Sequence, residues 1–441
     1  MSVRVGIIGG GISGLVSGFV LSKAGFHVSI FEEAPRLGGL ASSFSIAPGQ
    51  EIERHYHFLC KPDAPYFEVL AELGIADRLR WTTTTMGLFC DGSLYQLGDP
   101  LGLLRFPYFS VMDKIRFGWA TWLAKWGDIG SGRKGIDDVS ARDWIIHQYG
   151  ERVYDVLYRP LLELKFGEYA HRISASWMWA RVHRLAKSRS IMQKEKIGYL
   201  NGGTQVYVTA LQEAIRAEGG EIETSCRIDR VKSKSDGAIE AHSSAKRWSF
   251  DYLISTISIP KAVGLFAELE GTYFEGLKRL NYIGVVTMVL RIKEPLSPCF
   301  WLNINDRNMD ICGIIEYTNM NRAADSGGAS ILYIPQYVSA SHPAYRVGDG
   351  DLLEKYCGYL KLINARFERS WVLGYWVHRD EIAQPICEVG FRDRIPAIQT
   401  PIGNLLLTDS YQLHPDDRTI SNSTKLGRAA ARLIIAKQLE K

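Results

Sequence analysis

The sequence predicts an α/β fold that begins with a strand–helix–strand unit. A short apolar run rich in β-branched residues, Val3–Ile8, is typical of a buried parallel strand. A glycine-rich turn follows, and a helical pattern runs over Ile12–Lys23 until Gly25 stops it. A second apolar run, Val28–Phe31, predicts the next strand. Two strands joined by a helix in about thirty residues indicate a parallel sheet.

The turn between the two predicted elements has the pattern Gly-x-Gly-x-x-Gly, at Gly9, Gly11 and Gly14, with Ser13 inside it. Gly9 permits the tight turn, Gly11 lets the backbone approach a pyrophosphate, and Gly14 lets the helix pack close to the strand. The start of a helix also offers free N–H groups and the positive end of its dipole to phosphates. This arrangement predicts a dinucleotide site.

Glu32 ends the second predicted strand. A carboxylate at this position can accept hydrogen bonds from both ribose hydroxyls of an adenosine, and it repels a 2′-phosphate. NADP is therefore disfavoured at this site.

Composition excludes several classes of protein. The chain has 441 residues, a net charge of +4 and seven scattered cysteines without a C-x-x-C pair. We therefore expect no nucleic-acid partner, no disulfide framework and no metal site. The odd number of scattered cysteines fits a reducing, cytosolic setting, so we expect a cytoplasmic protein. No run of about 18 uncharged apolar residues occurs, so we expect no transmembrane helix.

The residues after Glu32 carry a family resemblance. Glu32, Arg36, Gly38 and Gly39 form the pattern Glu-x₃-Arg-x-Gly-Gly. It resembles the extended motif of the FAD superfamily that contains amine oxidases, protoporphyrinogen oxidase, phytoene desaturases and UDP-galactopyranose mutase. The resemblance implies FAD as the cofactor, with Arg36 facing the pyrophosphate and Gly38-Gly39 passing close to it. Cofactor contacts are also expected from Glu33 and from Leu40, which replaces the family's usual arginine after the two glycines.

Three distant segments agree with the same resemblance. A glycine-rich turn and a helix near Val206–Glu218 resemble the return into the FAD domain, which implies that the backbone at Ile228 pairs with the adenine. The strand near Tyr252 resembles the exit from that domain. The C-terminal segment implies Asp409 near the ribityl and pyrophosphate groups, and a helix whose N-terminus near Ile420 points at the flavin.

The resemblance implies a Rossmann-type FAD-binding domain interleaved with an α+β substrate-binding domain. We expect residues 1–60, 190–262 and 395–441 in the first domain, and residues 61–189 and 263–394 in the second. The chain also resembles a narrower bacterial group of NAD(P)/FAD-dependent, protoporphyrinogen-oxidase-like oxidoreductases. The segments that carry this resemblance are Arg54–Phe58, Leu73–Leu79, Arg159–Gly167 and Trp177–Arg181.

Candidates for catalysis lie where the superfamily's chain passes the flavin, at Arg54, His55 and His57. Either histidine could shuttle a proton or stack near the ring, and Arg54 could hold an anionic substrate or offset charge on the flavin. The alternatives are a polar cluster at the domain junction, or a surface pair of Arg54 with its neighbour Glu53. Lys165 and Arg181 are expected to be structural or solvated rather than in the cleft.

An apolar stripe at helical spacing consists of Ile115, Trp119, Trp122 and Trp126, with basic residues nearby. A buried amphipathic helix is the commoner cause of such a stripe, and we expect one here. The alternative is peripheral contact with a membrane surface.

The favoured function is hydride transfer between flavin and a small or lipid-like organic substrate. Two alternatives remain open: a redox-neutral flavin mutase acting on a nucleotide-sugar-like substrate, and a non-catalytic flavin-binding module. Thr419 stands where amine oxidases place a tyrosine of their aromatic cage, and this departure weighs against an amine substrate.

Overall fold

The first two strands and the helix between them form the predicted N-terminal strand–helix–strand unit. The computed structural model describes residues 3–97, 100–126, 135–188, 196–235, 237–266, 268–269, 272–325 and 327–440. In chain order the strands are β1 (Arg4–Ile8), β2 (His27–Phe31), β3 (Ser43–Ala47), β4 (Gln50–Glu53), β5 (Leu79–Thr83), β6 (Met86–Cys90), β7 (Ser93–Gln96), β8 (Lys196–Leu200), β9 (Glu221–Glu223), β10 (Arg230–Ser233), β11 (Ile239–His242), β12 (Arg247–Phe250), β13 (Tyr252–Ser255), β14 (Tyr282–Ile292), β15 (Trp301–Ile304), β16 (Gly313–Glu316), β17 (Ser330–Val338), β18 (Val372–Pro385) and β19 (Leu405–Leu407).

The helices lie between these strands, and six of them, α3 to α8, follow one another between β7 and β8. They are α1 (Ile12–Lys23), α2 (Ala64–Glu72), α3 (Pro100–Arg105), α4 (Val111–Trp126), α5 (Ala141–Tyr149), α6 (Glu151–Val153), α7 (Arg159–Phe166), α8 (Ala175–Ser188), α9 (Thr204–Ala217), α10 (Ile259–Leu265), α11 (Thr272–Leu277), α12 (Asp349–Ile363) and α13 (Ile420–Leu439).

A five-stranded parallel sheet has the order β19-β13-β1-β2-β9. Its strands come from distant parts of the chain, and helices α1, α9 and α13 pack together beside it. The predicted α/β class is confirmed, and α1 has the predicted bounds Ile12–Lys23. The C-terminal helix runs from Ile420 to Leu439, and its apolar residues as far as Ile434 are buried in the core beside the sheet.

A second, seven-stranded sheet has the order β18-β14-β17-β16-β15-β6-β7. All of its strands fall within residues 61–189 and 263–394, whereas the parallel sheet draws on 1–60, 190–262 and 395–441. The β5–β8 pair joins the two sets of segments. The division into two domains at these boundaries stays a prediction, and its boundary at 189/190 lies outside the described residues.

Close backbone packing holds α1 in place. A Cβ atom on Gly14 would lie 2.0 Å from the carbonyl oxygen of Gly9, and one on Gly427 would lie 2.4 Å from that of Ser13. The hydroxyl of Ser17 also donates to the carbonyl of Gly427 at 3.0 Å. Helix α1 is thus pressed between β1 and α13, where only glycine leaves enough room.

Helix α4 contradicts the expectation of a buried apolar stripe. The exposed fractions of Ile115, Trp119, Trp122 and Trp126 are 61%, 60%, 46% and 68%. The helix instead buries its small residues, Ala120 and Ala124 among them, and packs against α8. The prediction was wrong because spacing shows that a face is apolar but not which face the rest of the chain covers.

Among the described residues, no helix combines the length and apolar character needed to cross a bilayer.

Replacing Gly14 with alanine should destabilise the protein. The new methyl group would overlap the Gly9 carbonyl, so we expect the free energy of unfolding to fall by at least about 2 kcal/mol, as in other overpacked cores. Urea unfolding measures this change.

The matched control is Gly358→Ala in α12, where an added Cβ meets no atom within 4 Å. Alanine favours a helix more than glycine does, so this variant should gain up to about 1 kcal/mol. Equal stabilities of the two variants would contradict the close packing of α1.

Candidate active site

A large cavity opens at the carboxyl ends of β1 and β2, and a smaller cavity adjoins it. The larger cavity has a volume of about 760 Å³. Such edges of parallel sheets are where α/β proteins bind ligands. Its walls include predicted cofactor contacts from four separate parts of the chain: Gly9, Gly11, Ser13, Glu32, Glu33, Arg36, Gly38, Gly39, Leu40, Ile228, Asp409 and Ile420. Gly14 lies behind this wall, against Gly9.

Two glycine-rich segments meet backbone to backbone at this cavity. The N–H of Gly38 donates to the carbonyl of Gly10 at 2.8 Å. A Cβ on Gly39 would lie 3.3 Å from Gly11 Cα, and Gly39 has a φ of +58°, which favours glycine. A Cβ on Gly11 would meet nothing nearer than 4.0 Å, so that backbone borders open space. A phosphate group can approach the main chain there.

Glu32 is a buried carboxylate at the cavity wall. Its Oε2 accepts from the N–H of Gly10 at 2.7 Å, and its Oε1 accepts from the N–H of Ala34 at 2.9 Å. Each carboxylate oxygen can accept more than one hydrogen bond. Glu32 therefore holds the two turns together and keeps acceptor capacity for a ligand.

Glu33 and Arg36 border the cavity but already have partners. Arg36 Nη1 lies 2.9 Å from Glu51 Oε1, and Glu33 forms an ion pair with Lys261. Both pairs are partly exposed, so solvent weakens them and a ligand phosphate can compete for Arg36.

Asp409 borders the cavity, but its carboxylate accepts hydrogen bonds mainly from other parts of the chain. It accepts the N–H of Tyr411 (2.7 Å), the hydroxyl of Tyr282 (2.7 Å) and the N–H of Ile259 (3.1 Å). Burial raises the pKa of Asp409 despite these donors. Its acceptors are largely used within the chain, so it anchors three segments around the cavity.

Helix α13 starts at the cavity with Ile420. The hydroxyl of Thr419 accepts the N–H of Asn422 at 3.1 Å and caps the helix. The capping role explains a threonine at this position. The helix presents the positive end of its dipole at this point.

Ile228 lies between β9 and β10 and is 4% exposed. Its backbone N–H and C=O make no hydrogen bond with any other described residue. The N–H of Cys226 donates to the carbonyl of Glu32 at 2.9 Å and holds this segment beside the end of β2. The free groups of Ile228 can pair with the edge of a base.

A smaller cavity of about 250 Å³ adjoins the larger one. Both are bordered by Leu40, His57, Arg418, Thr419 and Ile420. The smaller cavity has mainly apolar walls, which include Tyr56, Phe58, Leu161, Met178, Phe300 and Trp301. Its charged wall residues are Lys165, Arg181, Arg184, Asp417 and Arg418.

His57 stands where the two cavities meet. Burial, together with the neighbouring His55 and Arg418, lowers its pKa to about 3. Its Nδ1 is buried and has no hydrogen-bond partner among the described residues. His57 is therefore neutral near pH 7, and its unpartnered Nδ1 can donate to or accept from a ligand, depending on the tautomer.

Arg54 and His55 form a partly buried polar cluster with Asp380. His55 Nε2 and Arg54 Nη2 both lie 2.9 Å from Asp380 Oδ2, and His55 Nδ1 lies 2.9 Å from Thr287 Oγ1. Arg54 also borders the larger cavity, so its role toward an anionic substrate or the flavin stays a prediction. The alternative surface pair with Glu53 is wrong, because Glu53 is buried and accepts from the N–H of Thr204 at 2.7 Å.

Known proteins match the whole chain. The sequence profile of the family described as "Flavin containing amine oxidoreductase" matches residues 12–435. The chain belongs to this family. Its cofactor is FAD, and the enzyme class is that of the flavin oxidoreductases.

The individual relatives of this protein have low sequence identity to it. The zeta-carotene desaturase of Synechocystis is 22% identical over 99% of this chain and 98% of its own length. A crystal structure from an Exiguobacterium species, provisionally assigned as a protoporphyrinogen oxidase, has a TM-score of 0.77 and 18% identity, covering 100% of both chains. Reduced UDP-galactopyranose mutase has a TM-score of 0.75 and 16% identity, covering 99% of this chain and 96% of its own. These structural likenesses show the fold.

The larger cavity fits FAD on its own features. The open backbone at Gly11 can receive phosphates, Glu32 keeps acceptors for ribose hydroxyls, and the free backbone of Ile228 can take an adenine edge. These residues lie along one cavity that ends at the start of α13.

Several residues that border or support this site were not predicted from the sequence. Lys165 and Arg181 border the smaller cavity, so the expectation that they lie outside the cleft was wrong. Asp380, Thr287 and Arg418 were not predicted at all. For Arg418 a signal existed, since it immediately precedes the capping Thr419 of the C-terminal motif.

Replacing Glu32 with glutamine should weaken FAD binding. An amide nitrogen would then face a backbone N–H donor, and hydrogen bonds to charged groups contribute about 1.5–3 kcal/mol each. We expect a Kd for FAD that is about 10- to 100-fold higher, measured by quenching of flavin fluorescence.

The control Glu354→Gln makes the same change at an exposed ion pair with Arg369, far from the cavity. It should leave the Kd unchanged. A wild-type Kd for Glu32→Gln would remove Glu32 from the cofactor site.

Proposed function

We propose that this protein transfers a hydride between FAD and a lipid-like organic substrate held in the smaller cavity. One observation carries the proposal: a mainly apolar cavity meets the FAD cavity at His57 and the start of α13. FAD supplies the hydride chemistry, and the protein supplies position, a dry pocket and local charge.

The walls of the smaller cavity support an apolar substrate. Trp301, Phe300 and Met178 are buried and present carbon surface to it. Apolar walls with few polar groups are typical of sites for small organic ligands. The relative named zeta-carotene desaturase supports the same class of substrate.

His57, Thr419 and the start of α13 lie where the two cavities meet, and each affects the charge or shape of the site. His57 is neutral and adds no charge beside the flavin, although it can hold a proton at its free nitrogen. The start of α13 favours negative charge in its vicinity. Because Thr419 is a helix cap, it offers no aromatic wall to orient an amine.

The mutase alternative has one observation in its favour, the basic residues of the smaller cavity. They could hold the diphosphate of a nucleotide sugar. The volume of about 250 Å³ and the aromatic walls favour a substrate with an apolar chain. A mutase would be active only after reduction and would consume no electron acceptor.

Anaerobic bleaching of the flavin tests the proposal. The yellow holoprotein is mixed in turn with isoprenoids, amines, porphyrinogens, sugar nucleotides, NADH and NADPH. We expect an isoprenoid-like donor to reduce the flavin. The variant Leu161→Trp, which narrows the smaller cavity, should retain FAD but bleach at least about tenfold more slowly, a barrier change of ~1.4 kcal/mol.

The control Leu362→Trp places the same side chain at a position that is 57% exposed, on α12, and should bleach at the wild-type rate. Bleaching by amines alone, or turnover of a sugar nucleotide without net oxidation, would overturn the lipid-like substrate.

We also propose that α3 and α4 rest on an anionic membrane surface. Nine large apolar side chains are exposed on these helices: Leu101, Leu104, Val111, Met112, Ile115, Trp119, Trp122, Leu123 and Trp126. We call them the apolar patch. Patches of this kind mark interaction sites on soluble proteins.

Charge supports a lipid surface as the partner. Over residues 100–126 the basic side chains are Arg105, Lys114, Arg116 and Lys125, and the one acidic side chain is Asp113. An amphipathic helix with basic residues beside its apolar face is typical of interfacial binding to anionic lipids. Helix α4 also packs on α8, which borders the smaller cavity, so a lipid substrate has a short way to travel.

Replacing Trp119 and Trp126 with serine should weaken binding to vesicles containing phosphatidylglycerol. Apolar burial is worth roughly 25 cal/mol per Å², so we expect at least about a tenfold loss of partitioning in sedimentation assays. The double control Leu362→Ser, Leu373→Ser changes apolar side chains that are 57% and 52% exposed outside the apolar patch and should bind like wild type.

Unchanged binding of the tryptophan variant would rule out the apolar patch as the contact. Concentration-dependent dimers that lose association on the same replacement, with no vesicle binding, would assign the patch to a second copy of the chain.

A further inference from the structure

The smaller cavity contains a buried cation, Lys165. Lys165 is 4% exposed and lies on α7. Its Nζ lies 5.0 Å from the ring centre of Trp177 and 4.8 Å from that of Tyr337. It makes no ion pair or hydrogen bond with any residue of the described ranges.

Two other cations of the smaller cavity have ion-pair partners. Arg181 is paired with Asp417 at 3.1 Å, and Arg184 is paired with Asp63 at 2.9 Å. Arg418, which borders both cavities, forms no side-chain ion pair within the described part of the chain. Two positive charges, Lys165 and Arg418, are thus left over.

The titratable neighbours of Lys165 compensate its charge only in part. They are Asp417 and Arg418 before α13, Arg181 on α8, and the thiols of Cys312, between β15 and β16, and Cys387, after β18. Burial, with the charge of Arg181, lowers the pKa of Lys165 to about 7. Burial alone would raise the pKa of Asp417, but Lys165 and the surrounding arginines lower it, so Asp417 stays ionised beside Arg181.

An unpaired buried ammonium is costly, and aromatic rings offset only part of this cost. The free donors of Lys165 border a cavity, so a ligand can reach them. A carboxylate or phosphate there would accept these donors and supply the missing negative charge.

We propose that Lys165 and Arg418 bind a compact oxyanion, a carboxylate or a phosphate, at the head of the substrate. The inference rests on the proposed function, since it places the lipid-like substrate in the smaller cavity. The substrate is then an anionic amphiphile: its head lies at Lys165 and its chain lies along the aromatic walls. A pure hydrocarbon would leave both cations unpaired.

Binding to the oxidised holoprotein tests this without turnover. Isothermal titration compares decanoate and decyl phosphate with uncharged methyl decanoate. We expect at least one of the two anions to bind at least about tenfold more tightly than the ester. Lys165→Met should remove this preference but keep the affinity for the ester, and the control Lys187→Met, at an exposed position of α8, should keep both.

The pH dependence separates binding from a packing role. The ammonium of free Lys165 is charged below a pKa of about 7, so the affinity for decanoate should fall as pH rises above that value. Each further pH unit should cost up to about tenfold, because binding must then take up a proton. Lys165→Arg should keep decanoate binding and lose the pH dependence, since arginine stays charged.

The outcomes distinguish the oxyanion site from the lipid-like substrate of the proposed function. Equal affinities for decanoate, decyl phosphate and the ester overturn the oxyanion site but leave a lipid-like substrate standing. Absence of binding by all three overturns both. A preference for the anions that persists in Lys165→Met overturns the role of Lys165.

Discussion

The packing of glycine backbones at one end of the parallel sheet is the constraint on which the rest depends. Gly14 contacts Gly9 and Gly427 contacts Ser13 at distances that leave no room for a side chain, and Gly39, at a φ of +58°, packs closely on Gly11. These contacts bring β1, the segment after β2, and α13 to one place. Both cavities share walls formed by these elements, so FAD binding and access to substrate depend on the same three close approaches.

The carboxylates around the site mostly hold the protein together. Asp409 joins three segments, Asp380 takes both Arg54 and His55, and Glu53 accepts from the start of α9. Most of their acceptors are used within the chain, whereas Lys165 and Arg418 keep donors that a ligand can use. The smaller cavity is therefore positive although the chain's net charge of +4 is small for 441 residues, because the local balance follows from which charges are paired.

Helix α4 shows how one element can link a surface to an interior site. Its small residues face α8, so its large apolar side chains are left outside. Helix α8 in turn borders the smaller cavity with Met178 and Arg181. An apolar exterior, a helix pair and an apolar cavity with a basic end form a continuous arrangement suited to an amphiphile.

The sequence by itself determined the parts that depend on neighbours in the chain. The strand, the turn from Gly9 to Gly14, helix α1 and Glu32 occupy about thirty residues, and local backbone rules suffice to place them. Only the tertiary structure decided the fate of the side chains whose partners are distant. Arg54 meets Asp380 across 326 positions of the chain, and Lys165 is surrounded by three separate elements. The same reason decided which face of α4 is exposed, since spacing reveals an apolar face but the packing of other elements determines whether it is covered.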